Sequence, residues 1–195
     1  HVDDINALTR AIDIALAEDG AFIFEVHYLG KIIEELQYDF IYHEHLYYHS
    51  LTSLTNFLSS NNLMIFDVKF IDIHAGSIRV YTSKKNIDYP KKISKNVKRL
   101  LHAENQKNYH KVETFKRLNS DIKKHNEELI MLLKKLKSEG KTVYGYGASG
   151  RANTIIQLSG IDKDLLPFII DDAQEKHNFF TPGSHIPIIS SEILH

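Results

Sequence analysis

Apolar positions recur at helical spacing near the start of the chain. Ile5, Leu8, Ile12 and Leu16 share one face, with Asp3 and Asp4 placed as cap and first turn and Gly20 as the stop. Residues 21–26 form an apolar run of strand length. A short helix is expected over 29–37. A helix follows Ser50, carrying Leu51, Leu54, Phe57 and Leu58. Two β-like runs, 64–73 and 77–82, are separated only by His74-Ala75-Gly76, which predicts an antiparallel hairpin.

Pro90 opens a different pattern. From 91 to 139 there is no proline or glycine. Leu118, Ile122, Leu129, Leu132, Leu133 and Leu136 recur at helical spacing. One or two long amphipathic helices are expected, with a break near 101–105, closed by Gly140. The pattern then alternates again. A strand at 142–146 runs into a glycine turn and a helix with Ile155, Ile156 and Leu158, stopped by Gly160. Two more strands are expected at 166–170 and 186–189. The whole reads as an α/β chain in three parts: 1–88, a helical connector at 89–139, and an α/β unit at 140–195.

Composition changes this picture little. The 195 residues carry 43% hydrophobic and 25% charged positions, ordinary for a globular protein able to bury a core. With no cysteine, disulfides and thiolate metal sites within the chain are excluded, and a reducing cytoplasm is expected. No apolar run reaches membrane-span length and no signal peptide is visible, so no membrane partner is expected. Charge is uneven. Residues 84–141 hold 17 Lys/Arg against 7 Asp/Glu, although the whole chain is at −1. That segment reads as a solvated helical surface. Its aromatics are only Tyr89, Tyr109 and Phe115, and no nucleic-acid partner is expected. Without an initiator Met, and with a helix start at 191–195, the chain reads as an internal piece of a longer protein.

Chemistry concentrates in two stretches. Tyr42-His43-Glu44-His45 packs two imidazoles, a carboxylate and a phenol together, the groups a proton-abstracting site needs. Val143-Tyr144-Gly145-Tyr146-Gly147-Ala148-Ser149-Gly150-Arg151 has the strand, glycine turn and helix start that cradle phosphates. It also matches G-x-G-x-x-G formally, so an NAD-dependent oxidoreductase is a second reading. A non-catalytic sugar-nucleotide-binding module is a third.

The run 40–48 with Ser50-Leu51-Thr52-Ser53-Leu54 resembles the signature of the S-adenosylmethionine-dependent sugar C-methyltransferases. So do Phe66-Asp67-Val68 with the stretch from His74 to Tyr81, Gly145-Tyr146-Gly147-Ala148 with Arg151-Ala152-Asn153-Thr154, and Thr181-Pro182-Gly183-Ser184-His185-Ile186-Pro187-Ile188. The resemblance covers essentially the whole chain. It implies the C-terminal half of a class I methyltransferase sheet, whose α/β domain closes on an antiparallel hairpin, then a helical connector and a Rossmann-like α/β domain for the sugar nucleotide. It implies S-adenosylmethionine as methyl donor for the complete protein, and zinc only in an N-terminal module outside this chain. The family's zinc cysteines and cofactor glycine loop have no counterpart here.

The implied substrate is a nucleotide-linked keto-deoxysugar, with a thymidine diphosphate carrier expected first. The implied base is His45, with Tyr42 and Glu44 in support and His1 across the pocket. Implied substrate contacts are Ser149, Arg151, Asn153 and Thr154 at the diphosphate, with His74, Ser77, Arg79 and Asp171. His43 and His49 are read as packing or surface groups. Two positions depart from the family pattern: Ala152 stands where Gly is usual, and Ala75 interrupts a usual His-Gly-Gly. An ordinary backbone conformation is expected at Ala75.

Overall fold

Local capping sets most helix starts. In the computed structural model, which describes residues 2–85 and 92–194, Asp4 accepts from the Ala7 N–H and opens α1 (Ile5–Ala15). Helix α1 ends at Ala15, ahead of the expected stop. Residues 17–20 instead make a turn closed from the Gly20 N–H to the Ala17 carbonyl. Ser50 opens α3 (Leu51–Ser60) through a reciprocal box with Ser53. The chain divides into two units. The first comprises residues up to Glu35 and Glu44–Lys116, and the second Leu36–His43 and residues from Arg117 onward.

In the first unit, β1 (Phe22–His27) leads into the short α2 (Leu29–Glu34), and α3 is followed by the hairpin of β2 (Leu63–Ile71) and β3 (Ser77–Lys84). The sheet order is β1-β3-β2, with both pairings antiparallel. A bulge at Phe66 breaks the β2 register, and the Phe66 carbonyl accepts from Ser94 N–H at 2.8 Å. Ser94 also caps α4 (Lys95–Gln106). Leu51, Leu54 and Leu58 of α3 and Val97 and Leu100 of α4 join Leu63, Ile65, Val68, Ile78 and Val80 of the sheet in one core.

The hairpin turn differs from expectation at Ala75. Its φ is +59°, between His74 at +52° and Gly76 at +121°. Three successive left-handed residues turn the chain, and only Gly76 adopts this region without strain. The helical break also lies later than expected, at residues 107–111. Asn108 is left-handed there, and its carbonyl accepts from the Lys111 N–H and the Thr114 hydroxyl.

In the second unit, the long α5 (Val112–Ser138) contributes its residues from Arg117 onward. Strands β4 (Gly145–Tyr146), β5 (Ile169–Ile170) and β6 (Ile188–Ile189) form a parallel sheet in that order, with α6 (Gly150–Ser159) as the β4-to-β5 crossover. The ladders are shorter than the apolar runs, two residues each. Gly160 ends α6 at φ +68°. The core holds Leu133, Ile156, Ile161, Leu166, Ile169 and Ile186. Leu132, expected on the apolar face of α5, is 51% exposed. The architecture is mixed α/β.

Candidate active site and phosphate loop

The Tyr42-His43-Glu44-His45 stretch begins beyond a short helical turn, Tyr38–Phe40, that the second unit holds in place. Tyr38 is buried, and its hydroxyl donates to Asn126 Oδ1 of α5 at 2.6 Å. Ser159 at the end of α6 donates to the same oxygen at 3.0 Å. Arg151 of α6 donates its Nε to Asp39 at 2.7 Å and lies over the Phe40 ring, 3.8 Å from the centroid. Tyr42 and His43, also of the second unit, have their rings 6.3 Å apart, edge to face.

Glu44 and His45 fall in the first unit. Glu44 is exposed, while His45 is half-buried with its ring edge-on to Tyr48 at 6.3 Å. His45 lines a cavity of about 420 Å³. Apolar walls come from Ile5, Leu8 and Ile12 of α1, Phe22 and Phe24 of β1, and Leu54 and Phe57 of α3; His27, Tyr48 and His49 add polar atoms. His27 and His49 meet here because residue 49 bridges Tyr28, just beyond β1, and the His49 carbonyl accepts the Leu29 N–H at 2.9 Å. Burial lowers the pKa of the His49 imidazole, so this ring favours its neutral form. His49 therefore belongs to the wall of the cavity that holds His45. His1 lies outside the described residues.

His74 is exposed in the hairpin turn. Ser77 is buried at the start of β3, and its hydroxyl donates to the Ile73 carbonyl at 3.0 Å. Arg79 is half-buried and paired across the sheet with Glu25 of β1.

The glycine loop of the second unit follows β4. Gly147, at φ +91°, donates to the Ile170 carbonyl at 2.7 Å. Ser149 caps α6 by accepting from the Ala152 N–H at 3.1 Å. Asp171, directly after β5, is buried. Its Oδ2 accepts from the Ala148 N–H at 2.7 Å and from Lys176 at 2.9 Å, and its Oδ1 accepts from the Ala173 N–H at 2.9 Å. Burial alone would raise its pKa. Lys176 and the two backbone donors outweigh burial and hold the carboxyl below its usual value. Asp171 thus fixes the glycine loop. Thr154 donates back to the Gly150 carbonyl at 3.3 Å, and the Asn153 Oδ1 is buried with no hydrogen-bond partner among the described residues.

Sequence reasoning missed Glu104 of α4, which is 1% exposed. Its Oε1 accepts from the Tyr28 hydroxyl at 3.0 Å and the Leu51 N–H at 2.7 Å. Its Oε2 accepts from the Thr52 N–H at 2.8 Å and the Thr52 hydroxyl at 2.6 Å. The signal was present: Val97, Leu100 and Glu104 occupy one helical face, so the acid sits at a core-facing position.

Among the described residues, no group of three or more His, Cys, Asp or Glu could hold a metal ion, and no helix is long and apolar enough to cross a membrane.

Residues 72–195 match the model of the C-methyltransferase C-terminal domain. A curated relative, C-methyltransferase NovU of Streptomyces niveus, is 31% identical over 192 residues, covering 98% of this chain and 45% of that protein. The chain belongs to the C-methyltransferase family. It spans about half the length of the curated relative.

Proposed function

We propose that the whole protein is a cytoplasmic enzyme that methylates a ring carbon beside the ketone of a nucleotide-linked keto-deoxysugar, with thymidine diphosphate as the first carrier to test. The observation that carries this reading is the position of His45: a half-buried imidazole lining a largely apolar cavity, within a motif order shared with sugar C-methyltransferases. A neutral imidazole there takes a proton from the carbon next to the ketone. The electrons of that C–H bond pass into the enolate, whose oxygen a hydrogen-bond donor stabilises. Glu44 orients an imidazole of the motif. S-adenosylmethionine, when bound, supplies the methyl group that the enolate carbon attacks.

The apolar wall at His45 suits a cationic methyl donor only in part. Among the described residues, the first unit has no Gly-x-Gly turn to hold that donor, so its binding rests on the complete protein. In the second unit the loop from Gly147 to Thr154 receives the diphosphate. Ser149, Arg151, Asn153 and Thr154 act there with the N–H groups that open α6. His74, Ser77, Arg79 and Asp171 act as further substrate contacts. In this reading residues 1–88, 89–139 and 140–195 are the methyltransferase portion, the connector and the sugar-nucleotide domain.

An NAD-dependent oxidoreductase is the second reading. Two observations favour it: the left-handed Gly147 in the turn before a crossover helix, and an acid, Asp171, directly after the next strand. Calorimetric titration of this chain with thymidine diphosphate, uridine diphosphate and NAD separates the two. Binding of a pyrimidine diphosphate without NAD fits the methyltransferase reading. NAD binding alone moves the loop to the oxidoreductase.

A further inference from the structure

We infer that Glu104 is a positioning residue for His45, acting through the chain that follows it; this rests on the reading of His45 as the base. The segment carrying His45 must stop at a fixed place if its imidazole is to meet a substrate C–H. Downstream, that place is the start of α3. The Glu104 carboxylate takes both the Leu51 and Thr52 N–H groups and the Thr52 hydroxyl, at 2.6–2.8 Å. Upstream in sequence, the same carboxylate takes the Tyr28 hydroxyl at 3.0 Å. Tyr28 is the residue that bridges His49. One buried anion therefore ties both partners of the bridge that closes the segment: Tyr28 directly, and His49 through the first turn of α3.

A solvated capping group would not need this arrangement. Ser50 already caps α3 locally, through its box with Ser53. Glu104 reaches the same helix start from α4, more than fifty residues away, and is 1% exposed while doing so. A buried charge persists where several charge-assisted hydrogen bonds hold it. Here all four of its donors lie on the two chain segments flanking residues 29–50. Loss of the charge as Gln leaves one acceptor oxygen and turns the other into a donor facing donors, which lets the end of the His45 segment shift. A displacement of about 1 Å in a catalytic group costs about a hundredfold in rate.

The test uses the complete protein with its nucleotide-sugar substrate. Proton abstraction is read alone, as incorporation of solvent deuterium at the carbon beside the ketone, without methyl donor. The variants are Glu104→Gln, Tyr28→Phe and His45→Gln. We expect Glu104→Gln to fold, to bind the nucleotide sugar within about twofold of wild type, and to exchange about 10- to 100-fold more slowly. Tyr28→Phe, which removes one donor, should slow exchange less. A rise in KM with kcat and exchange unchanged would overturn the proposal, as would wild-type exchange in folded Glu104→Gln. If Glu104→Gln does not fold, Tyr28→Phe decides by the same criterion. If His45→Gln exchanges like wild type, the base reading itself has failed and this inference with it. If His45→Gln is inert while Glu104→Gln exchanges normally, only the role of Glu104 has failed.

Discussion

The Asp171 carboxylate accepts the backbone N–H of Ala148 at 2.7 Å, which joins the end of β5 to the glycine turn after β4. The turn is thus shaped by an anion of the protein as well as by the freedom of Gly147. The same carboxylate holds Lys176 and the Ala173 N–H.

Asp171→Asn should lower the stability of the second unit by about 1–3 kcal/mol at neutral pH, the cost of a lost charged hydrogen-bond acceptor in a buried site. The Asp171 pKa is lowered in the folded chain. Its contribution is therefore complete above the unfolded carboxyl value, about 3.9. It is lost as pH falls through the lower folded value. Urea unfolding of wild type and Asp171→Asn from neutral pH downward checks this. The gap should stay constant to about pH 5 and shrink below about pH 4.

Arg151 is paired with Asp39, and in the proposed function it also meets the diphosphate. Arg151→Ala should weaken binding of a nucleoside diphosphate by about tenfold or more, as expected for a lost charge-assisted hydrogen bond. Asp39→Asn, which releases the guanidinium, should leave affinity equal or higher. Calorimetric titration with thymidine diphosphate measures both. Unchanged affinity in Arg151→Ala removes that residue from the site.

Ala75 holds φ +59° in the hairpin turn. Ala75→Gly relieves left-handed strain but adds backbone entropy to the unfolded chain. The net should be a gain of about 0.5–1 kcal/mol. Thermal melting reads it as a higher Tm. A lower Tm would mean that the turn is not strained at this position.

Gly30 is buried in α2, where an added Cβ would collide with the Tyr28 ring. Gly30→Ala should cost about 1–3 kcal/mol by overpacking. Because Tyr28 donates to Glu104, the ring cannot move without breaking that bond. Denaturant unfolding checks the magnitude.

What the sequence made legible was local. Asp4 and Ser50 begin their helices because a cap needs only residues three positions ahead. The hairpin turn followed from the shortness of His74-Ala75-Gly76, although its conformation did not. The helical break could not be placed from periodicity, because Asn108 ends α4 through its own backbone conformation and not through a change in apolar spacing. Leu132 misled because α5 buries a narrow stripe including Leu118, Asn126 and Leu133, and Leu132 lies off it. The candidate site was legible as motifs but not as partners. Glu104 bonds α3 from 52 and 53 residues away, and Asn126 bonds Tyr38 from 88. Pairings of that kind are set by tertiary packing and leave only a weak trace, such as an acid on an apolar face.

The most direct test is methyl transfer by the complete protein, wild type against His45→Gln, from S-adenosylmethionine labelled in its methyl group to a thymidine-diphosphate-linked keto-deoxysugar. We expect wild type to label the carbon beside the ketone, and His45→Gln to bind both ligands yet transfer at least about a hundredfold more slowly, the scale of a lost general base. Transfer at the wild-type rate by His45→Gln would contradict the account.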